Sequence, residues 1–365
     1  MSRPGSDREL AFVYQPQPGR VVFGEGSLAK VPQEVERLGR SRVLVIATPG
    51  RRKLADDLAT RLGSKCVGVF DRAVMHVPAE TAEAGRAEAA RLDADSYVAI
   101  GGGSATGLAK AIALVSGHPI LCIPTTYAGS EMTSTWGLTE GGIKKNARDP
   151  RVLPKTVVYD PALTTTMSAM LSATSGMNAV AHCVEALYAE QPNPIVSLMA
   201  EEGIRAMARS LPVVVKEPAN IKARSLALYG AWLAGASLGA AGMALHHKLC
   251  HILGGAFNLP HAETHTVLLP HATAYNQPAA PEAMERIARA LDSTSAAQGL
   301  YDLGARIGAP LSLESIGMKR EGLDLAADLA VKTASYNPRP LERDSIRVLL
   351  EDAFSGQPPR SWPVA

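Results

Sequence analysis

The sequence predicts two domains: an N-terminal α/β domain with a parallel sheet of the dinucleotide-binding kind, and an all-α C-terminal domain. Three observations predict this. Up to about Asp160, runs of β-branched residues alternate with helical stretches. One of those strands runs straight into a glycine-rich loop that opens a helix, and beyond Pro161 the patterns are helical. At 365 residues the chain also exceeds the length at which one core usually stops growing, so the domains are placed at 1–160 and 161–365.

In the first domain, Arg42-Val-Leu-Val-Ile-Ala47 reads as a buried strand, followed by a helix from Lys53 to Leu62. Cys66 to Phe70 is the second strand, and Pro78 to Leu92, rich in Ala, Glu and Arg, is the next helix. Ser96 to Ile100 is a third strand entering Gly101-Gly-Gly-Ser104, Leu108 to Val115 reads as helix, and Pro119 to Pro124 as a further strand. Strands alternating with helices build a parallel sheet covered on both faces. In the second domain Leu171–Ala189, Pro194–Leu211, Ile221–Leu238 and Pro281–Leu291 read as helices. Pro194 and Pro281 suit a first helical turn, where the missing N–H has no partner to lose. Val213-Val-Val215 is too short to restart a sheet, and the small residues of Ala231-Trp-Leu-Ala-Gly-Ala-Ser-Leu-Gly-Ala240 let helices approach closely.

A hydrophobic fraction of 46% with 20% charged residues suits an ordinary soluble globular protein. A net charge of +2 gives no footprint for nucleic acid or an anionic membrane. No apolar run reaches the length of a membrane span, and the N-terminus lacks the apolar stretch of a signal peptide. Cys66, Cys122, Cys183 and Cys250 form no Cys-x-x-Cys pair, which fits reduced thiols in a cytoplasmic protein.

Gly101-Gly-Gly-Ser-Ala-Thr-Gly107 lacks the Cβ atoms that would keep a pyrophosphate from the backbone, and the helix after it offers N-terminal amides to an anion. It departs from the strict dinucleotide fingerprint, because Thr106 holds the third glycine's place and Gly107 comes one late. Glycine turns also join strands to helices in proteins that bind no nucleotide. Pro124-Thr-Thr-Tyr-Ala-Gly-Ser130 follows the next strand, with hydroxyls suited to phosphate or ribose, or to a simple turn. The candidate cofactor contacts are Thr48, Gly101, Gly102, Gly103, Ser104, Thr106, Thr125, Thr126 and Ser130. Lys110, one turn into the helix, reads as solvent-exposed.

Seven of the nine histidines lie between His182 and His271, and five crowd into His246, His247, His251, His261 and His265. Imidazole is the usual proton-transfer group and a common metal ligand near neutral pH, so the set as a whole marks a reactive centre, although any one histidine could cap a helix or fill a polar niche. Asn178 and His182 are four residues apart, as are His247 and His251, and each pair shares a helix face. His246 points away from His247 and reads as structural. His265 and His271 read as helix or loop residues. Lys144, Lys145, Arg148 and Arg151 form a basic run before the domain junction, either lining the cleft or forming a solvated loop.

The chain resembles the group III, iron-containing alcohol dehydrogenase superfamily, whose fold is dehydroquinate synthase-like, and within it the maleylacetate reductases. The markers are Gln17-Pro-Gly-Arg-Val-Val-Phe-Gly24, Gly101 to Lys110, Pro124 to Glu131, Trp136-Gly-Leu-Thr-Glu-Gly-Gly142, Arg148-Asp-Pro-Arg-Val-Leu-Pro154, Gly176-Met-Asn-Ala-Val-Ala-His182 and His247 to His261. The resemblance implies an NADH- or NADPH-dependent enzyme with its site in the cleft between the domains, acting as a homodimer. Metal-dependent members use an Asp and three His, at positions that fall here on Asn178, His182, His247 and His261. Asn178 is a neutral, weaker ligand than carboxylate, as in the reductase branch, so no metal is expected; if one binds, it would be at His182, His247 and His261. Gly107 agrees, since many alcohol dehydrogenases of the superfamily carry Asp there. Thr48 stands where strictly NAD-selective relatives have an acid, so both cofactors are expected to serve.

The expected reaction is reduction of the carbon–carbon double bond of maleylacetate, or substituted maleylacetates, to 3-oxoadipate in the breakdown of aromatic compounds. His247, His251, His182 and His261 are the candidate catalytic residues, without assignment of the proton donor. Asn178, Lys144, Lys145 and Arg148 are the candidate contacts to the dicarboxylate. The nearest rival is an Fe- or Zn-dependent alcohol or polyol dehydrogenase of the same superfamily. Lys248 argues against a zinc metallopeptidase, since it stands where that His-x-x-x-His motif needs a glutamate.

Overall fold

The computed structural model describes Tyr14 and residues 19–141, 143–332 and 336–363, with the side chains of Ile143 and Lys144 outside the description. In the first domain β1 (Arg20–Phe23), α1 (Val31–Arg37), β2 (Val43–Ile46), α2 (Arg52–Leu62), β3 (Cys66–Phe70), α3 (Ala79–Arg91), β4 (Ser96–Gly101), α4 (Gly103–Ser116) and β5 (Ile120–Pro124) follow in turn. The hairpin β6 (Thr135–Glu140) and β7 (Ile143–Arg148) and the strand β8 (Thr156–Tyr159) complete it. The six-stranded sheet runs β3-β2-β4-β5-β8-β1, every pair parallel, and β6–β7 is a separate antiparallel pair. Along β2, Leu44 and Ile46 enter one core layer while Val43 and Val45 enter the other, so both faces of the sheet are covered.

The chain leaves β2 toward β3 on one side, then returns to β4 on the other, so the ends of β2 and β4 open a topological switch point. Ligands of open parallel sheets bind at such crevices.

The second domain is α5 (Ala169–Leu187), α6 (Pro194–Lys216), α7 (Ile221–Ala240), α8 (Leu245–Phe257), α9 (His261–Asn276), α10 (Pro281–Ala290), α11 (Ala296–Arg306), α12 (Leu323–Lys332) and α13 (Arg343–Ser355). Ser168, Asn193 and Asn220 cap α5, α6 and α7 by accepting from backbone N–H groups. The core layer on one face of the sheet continues through Met177, Val180, Met207 and Leu228 into α5–α7, while α8, α9, α12 and α13 enclose a second core. Among the described residues no single helix is long and apolar enough to cross a membrane.

Several elements differ from the sequence reading. β1, β8 and the hairpin were not anticipated, because each is short and their residues are mixed in polarity. Helix α6 runs through Pro212 to Lys216 rather than ending at Leu211. Burial of Leu211 and Val214 in the helical core outweighs the lost hydrogen bond, and the valines read as a broken strand are its last turn. Helix α4 begins at Gly103, a turn before Leu108, so the glycine loop itself supplies the free amides.

Candidate active site

The glycine loop and the loop after β5 meet face to face at the crevice. A Cβ on Gly102 would lie 3.0 Å from Thr126 Oγ1 and 3.2 Å from Thr126 Cγ2, so bare backbone at that position lets the two loops close on each other. Thr48 is half-buried just past β2, across the switch point from Gly101–Ser104. Thr125 and Ser130 each hold a buried hydroxyl that finds no partner among the described residues, whereas Thr106 is buried against Cys122. Lys110 is buried, correcting the expectation that it is exposed. Its Nζ donates to the carbonyls of Ser130 (2.6 Å), Thr133 (2.8 Å) and Thr135 (2.8 Å) and to Thr133 Oγ1 (3.0 Å), pinning the second loop to α4. Burial pulls its pKa down to about 8, which leaves it charged at neutral pH.

The second loop continues directly into the histidine set. Gly129, at φ +81°, lies so close to α5 and α7 that a Cβ there would sit 3.1 Å from Gly235 Cα and 3.3 Å from His182 Nδ1. His182 stacks on His247 with ring centroids 5.1 Å apart, joining α5 to α8. His251 lies 6.3 Å from His247, His265 4.7 Å from His247, and His261 4.4 Å from His265. The fold thus brings His182, His247, His251 and His261 together with His265, from three helices. His182 and His247 are nearly buried, and His251 and His261 are exposed. Asn178 Oδ1, His182 Nδ1, His247 Nε2 and both ring nitrogens of His265 are buried without partners among the described residues. Polar atoms buried this way are costly unless something else satisfies them, so the cluster faces a ligand site. Burial, then neighbouring imidazoles, holds His182, His247 and His265 well below the usual histidine range.

Behind His247 stands Glu185, buried one turn after His182 on α5. Its Oε2 lies 2.5 Å from His247 Nδ1, and its Oε1 accepts the backbone N–H of His246 at 2.8 Å. The first turn of α8 has no side-chain cap of its own, and Glu185 supplies one from another helix. His246 is engaged on both sides, with Nε2 3.0 Å from the carbonyl of His265 and Nδ1 3.4 Å from His247 Nδ1. His271 is buried elsewhere on α9, in the fields of Asp352 and Arg360.

Lys144, Lys145 and Arg148 lie on β7, and Arg151 lies just beyond it. Lys145 is exposed and paired with Glu140 at 2.5 Å, Arg151 pairs with Asp149, and the side chain of Lys144 lies outside the described residues. Arg148 alone of the described members reaches the second domain, donating to the carbonyl of Ala241 at 3.3 Å, just before α8.

Sequence models of the iron-containing alcohol dehydrogenase family match residues 18–161, and of its C-terminal domain residues 172–354. The chain belongs to the iron-containing alcohol dehydrogenase family. A maleylacetate reductase of Burkholderia cepacia is 59% identical over 96% of this chain and 99% of its own length. One from Sphingobium indicum is 56% identical, again over 96% and 99%. A crystal structure of maleylacetate reductase from Agrobacterium tumefaciens superposes with a TM-score of 0.94 at 50% identity, covering 96% of this chain and 100% of that one.

In this member of the family the quartet at Asn178, His182, His247 and His261 offers an amide and three imidazoles, with no carboxylate. The nearby carboxylate, Glu185, is turned away from the cleft and occupied by backbone amides and His247 Nδ1. Glu185 and the central place of His265 escaped the sequence reading. One signal pointed to the first: Glu185 is the sole charged residue in the otherwise apolar and polar-neutral α5. His265 stood in the crowded histidine run and at four-residue spacing from His261, but was read as a helix or loop residue.

Proposed function

We propose that this chain is a maleylacetate reductase, using NADH or NADPH to reduce the carbon–carbon double bond of maleylacetate and substituted maleylacetates to 3-oxoadipate. The carrying observation is the wall of buried, unpartnered polar atoms at Asn178, His182 and His247, set against the loop that adjoins the glycine turn, in a chain 47–59% identical to reductases of that name. The bound nicotinamide supplies hydride, and the open backbone at Gly101–Gly103 with the hydroxyls of Thr48, Thr125, Thr126 and Ser130 would hold it. Hydride addition to the alkene carbon far from the ketone places negative charge on the ketone oxygen. His247 and His251 stabilise that oxygen, His182, His261 and Asn178 complete the polar wall, and one of the imidazoles protonates carbon. Arg148, which reaches the segment before α8, receives a carboxylate of the substrate.

The reading includes no metal. Three imidazoles and an amide bring no negative charge to a divalent ion, and the one buried carboxylate nearby is committed elsewhere. Absence of an acid at Thr48 supports use of both cofactors. The reading also includes a cytoplasmic homodimer, for which sedimentation tests the second part. The decisive experiment is NAD(P)H oxidation by chelator-treated, metal-analysed protein given maleylacetate. Turnover without metal is expected; turnover restored only by Fe²⁺ or Zn²⁺, or confined to simple aldehydes, would place the chain with the metal-dependent alcohol dehydrogenases.

A further inference from the structure

We propose that Glu185 is the positioning residue of this site: it locks His247 as the Nδ1–H tautomer, so that Nε2 is the ring atom presented to the substrate. The inference rests on the reading of His247 as a catalytic residue, and its first readout does not depend on the substrate.

The hydrogen-bond logic leaves one arrangement. His246 Nε2 is 3.0 Å from the carbonyl of His265, and a carbonyl only accepts, so His246 carries its proton on Nε2. In the neutral ring Nδ1 is then a lone pair. That lone pair lies 3.4 Å from His247 Nδ1. Glu185 Oε2 approaches the same Nδ1 to 2.5 Å. Burial pushes the Glu185 carboxyl up, and the contacts around it act the other way: its Oε1 accepts from His246 N at 2.8 Å and its Oε2 from His247 N at 3.4 Å, at a helix N-terminus that favours the anion, so Glu185 is assigned as the acceptor. Two acceptors therefore converge on His247 Nδ1, and the proton belongs to that nitrogen. Nε2, buried and without a partner among the described residues, is left as the free ring nitrogen of an imidazole stacked on His182.

A neutral imidazole in water prefers its proton on Nε2, so the structure selects the less common form. The consequence is positional. Any proton that His247 passes to the reaction is taken up and released at Nε2, and the ring donates to the ketone oxygen only while Nε2 carries that proton; the Nδ1 proton stays with Glu185, and the ring cannot flip without breaking both contacts. A buried acid that fixes the tautomer of a catalytic imidazole plays the same part in serine hydrolases, where its amide replacement leaves the fold intact and the reaction slow.

The test is ¹⁵N spectroscopy of protein labelled at the histidine ring nitrogens, with His247→Gln used to assign the resonances. The wild-type protein is expected to show a protonated Nδ1 and an unprotonated Nε2 at His247, and the opposite pattern overturns the proposal without any change at Glu185. In Glu185→Gln the Nε2–H form is expected, with kcat lowered by about 10²-fold or more and KM for NADH within about twofold. Glu185→Asp, which keeps the charge, is expected to recover part of the loss. A Glu185→Gln protein with wild-type kcat, or one that loses activity while His247 keeps its tautomer, would reduce Glu185 to a helix cap.

Discussion

His247→Ala removes a ring whose Nε2 is buried without a partner among the described residues, and leaves the glycine loop and the loop after β5 untouched. We expect kcat to fall by about 10²–10⁴-fold, the usual share of a positioned proton-transfer group, with the dissociation constant for NADH little changed. A parallel loss of cofactor affinity in titration would move His247 out of the chemistry and into cofactor binding. On the substrate side Arg148 and Lys145 separate cleanly. Arg148→Ala should raise KM for the dicarboxylate more than it lowers kcat, because Arg148 reaches the segment that leads into α8. Lys145→Ala, whose partner is the exposed Glu140, should change either constant by less than about twofold in steady-state assays. At this scale the sequence was informative where identity alone carries chemistry. Histidines at four-residue spacing and an Asn in a ligand position could be read directly. Glu185 and Lys110 could not, because the roles of both come from partners far along the chain: Glu185 meets α8 some sixty residues on, and Lys110 meets a loop beyond the next strand.

Elements matter here through how closely the second loop is held. Lys110 ties three carbonyls of the segment after Ser130, and Gly129 lets that segment pass within contact of α7 and His182. Lys110→Met would leave those carbonyls buried without a donor, and we expect a loss of about 3–5 kcal/mol in urea unfolding with weaker NADH binding. Gly129→Ala places a Cβ at φ +81° and against both Gly235 and His182, so cofactor KM should rise and the melting temperature fall. An alanine protein indistinguishable from wild type in both would show that the loop has slack. The strands β2–β5 and the helices of the second domain were legible as runs of one periodicity. The hairpin β6–β7 was not: β6 offers only Trp136 and Leu138, half-buried against the core, as an alternation, and the described side chains of β7 are polar or small and exposed.

At the scale of the whole molecule, the choice to bury imidazoles sets the acid limit of the fold. His246 and His271 are pulled by burial down to about 4. An unfolded chain protonates the same side chains near the ordinary histidine value of about 6.5. Between those limits the unfolded state binds more protons than the folded one, so stability is fully present above about pH 6.5 and is lost as pH falls toward 4. Each such histidine lowers stability by about 1.4 kcal/mol per pH unit across that window. His271 is the cleaner probe, since it lies outside the site, beside Asp352, which favours its charge, and Arg360, which opposes it, with burial the largest effect. Thermal unfolding followed from pH 8 to pH 5 should show a flat melting temperature down to about pH 7 and a steep fall below it. His271→Gln should shallow that fall whatever it does to stability at pH 8, because the glutamine takes up no proton. Equal slopes for the two proteins would mean that His271 gains its proton in the folded state, and that the acid sensitivity lies in the histidines between α5, α8 and α9, where stability and catalysis draw on the same buried rings.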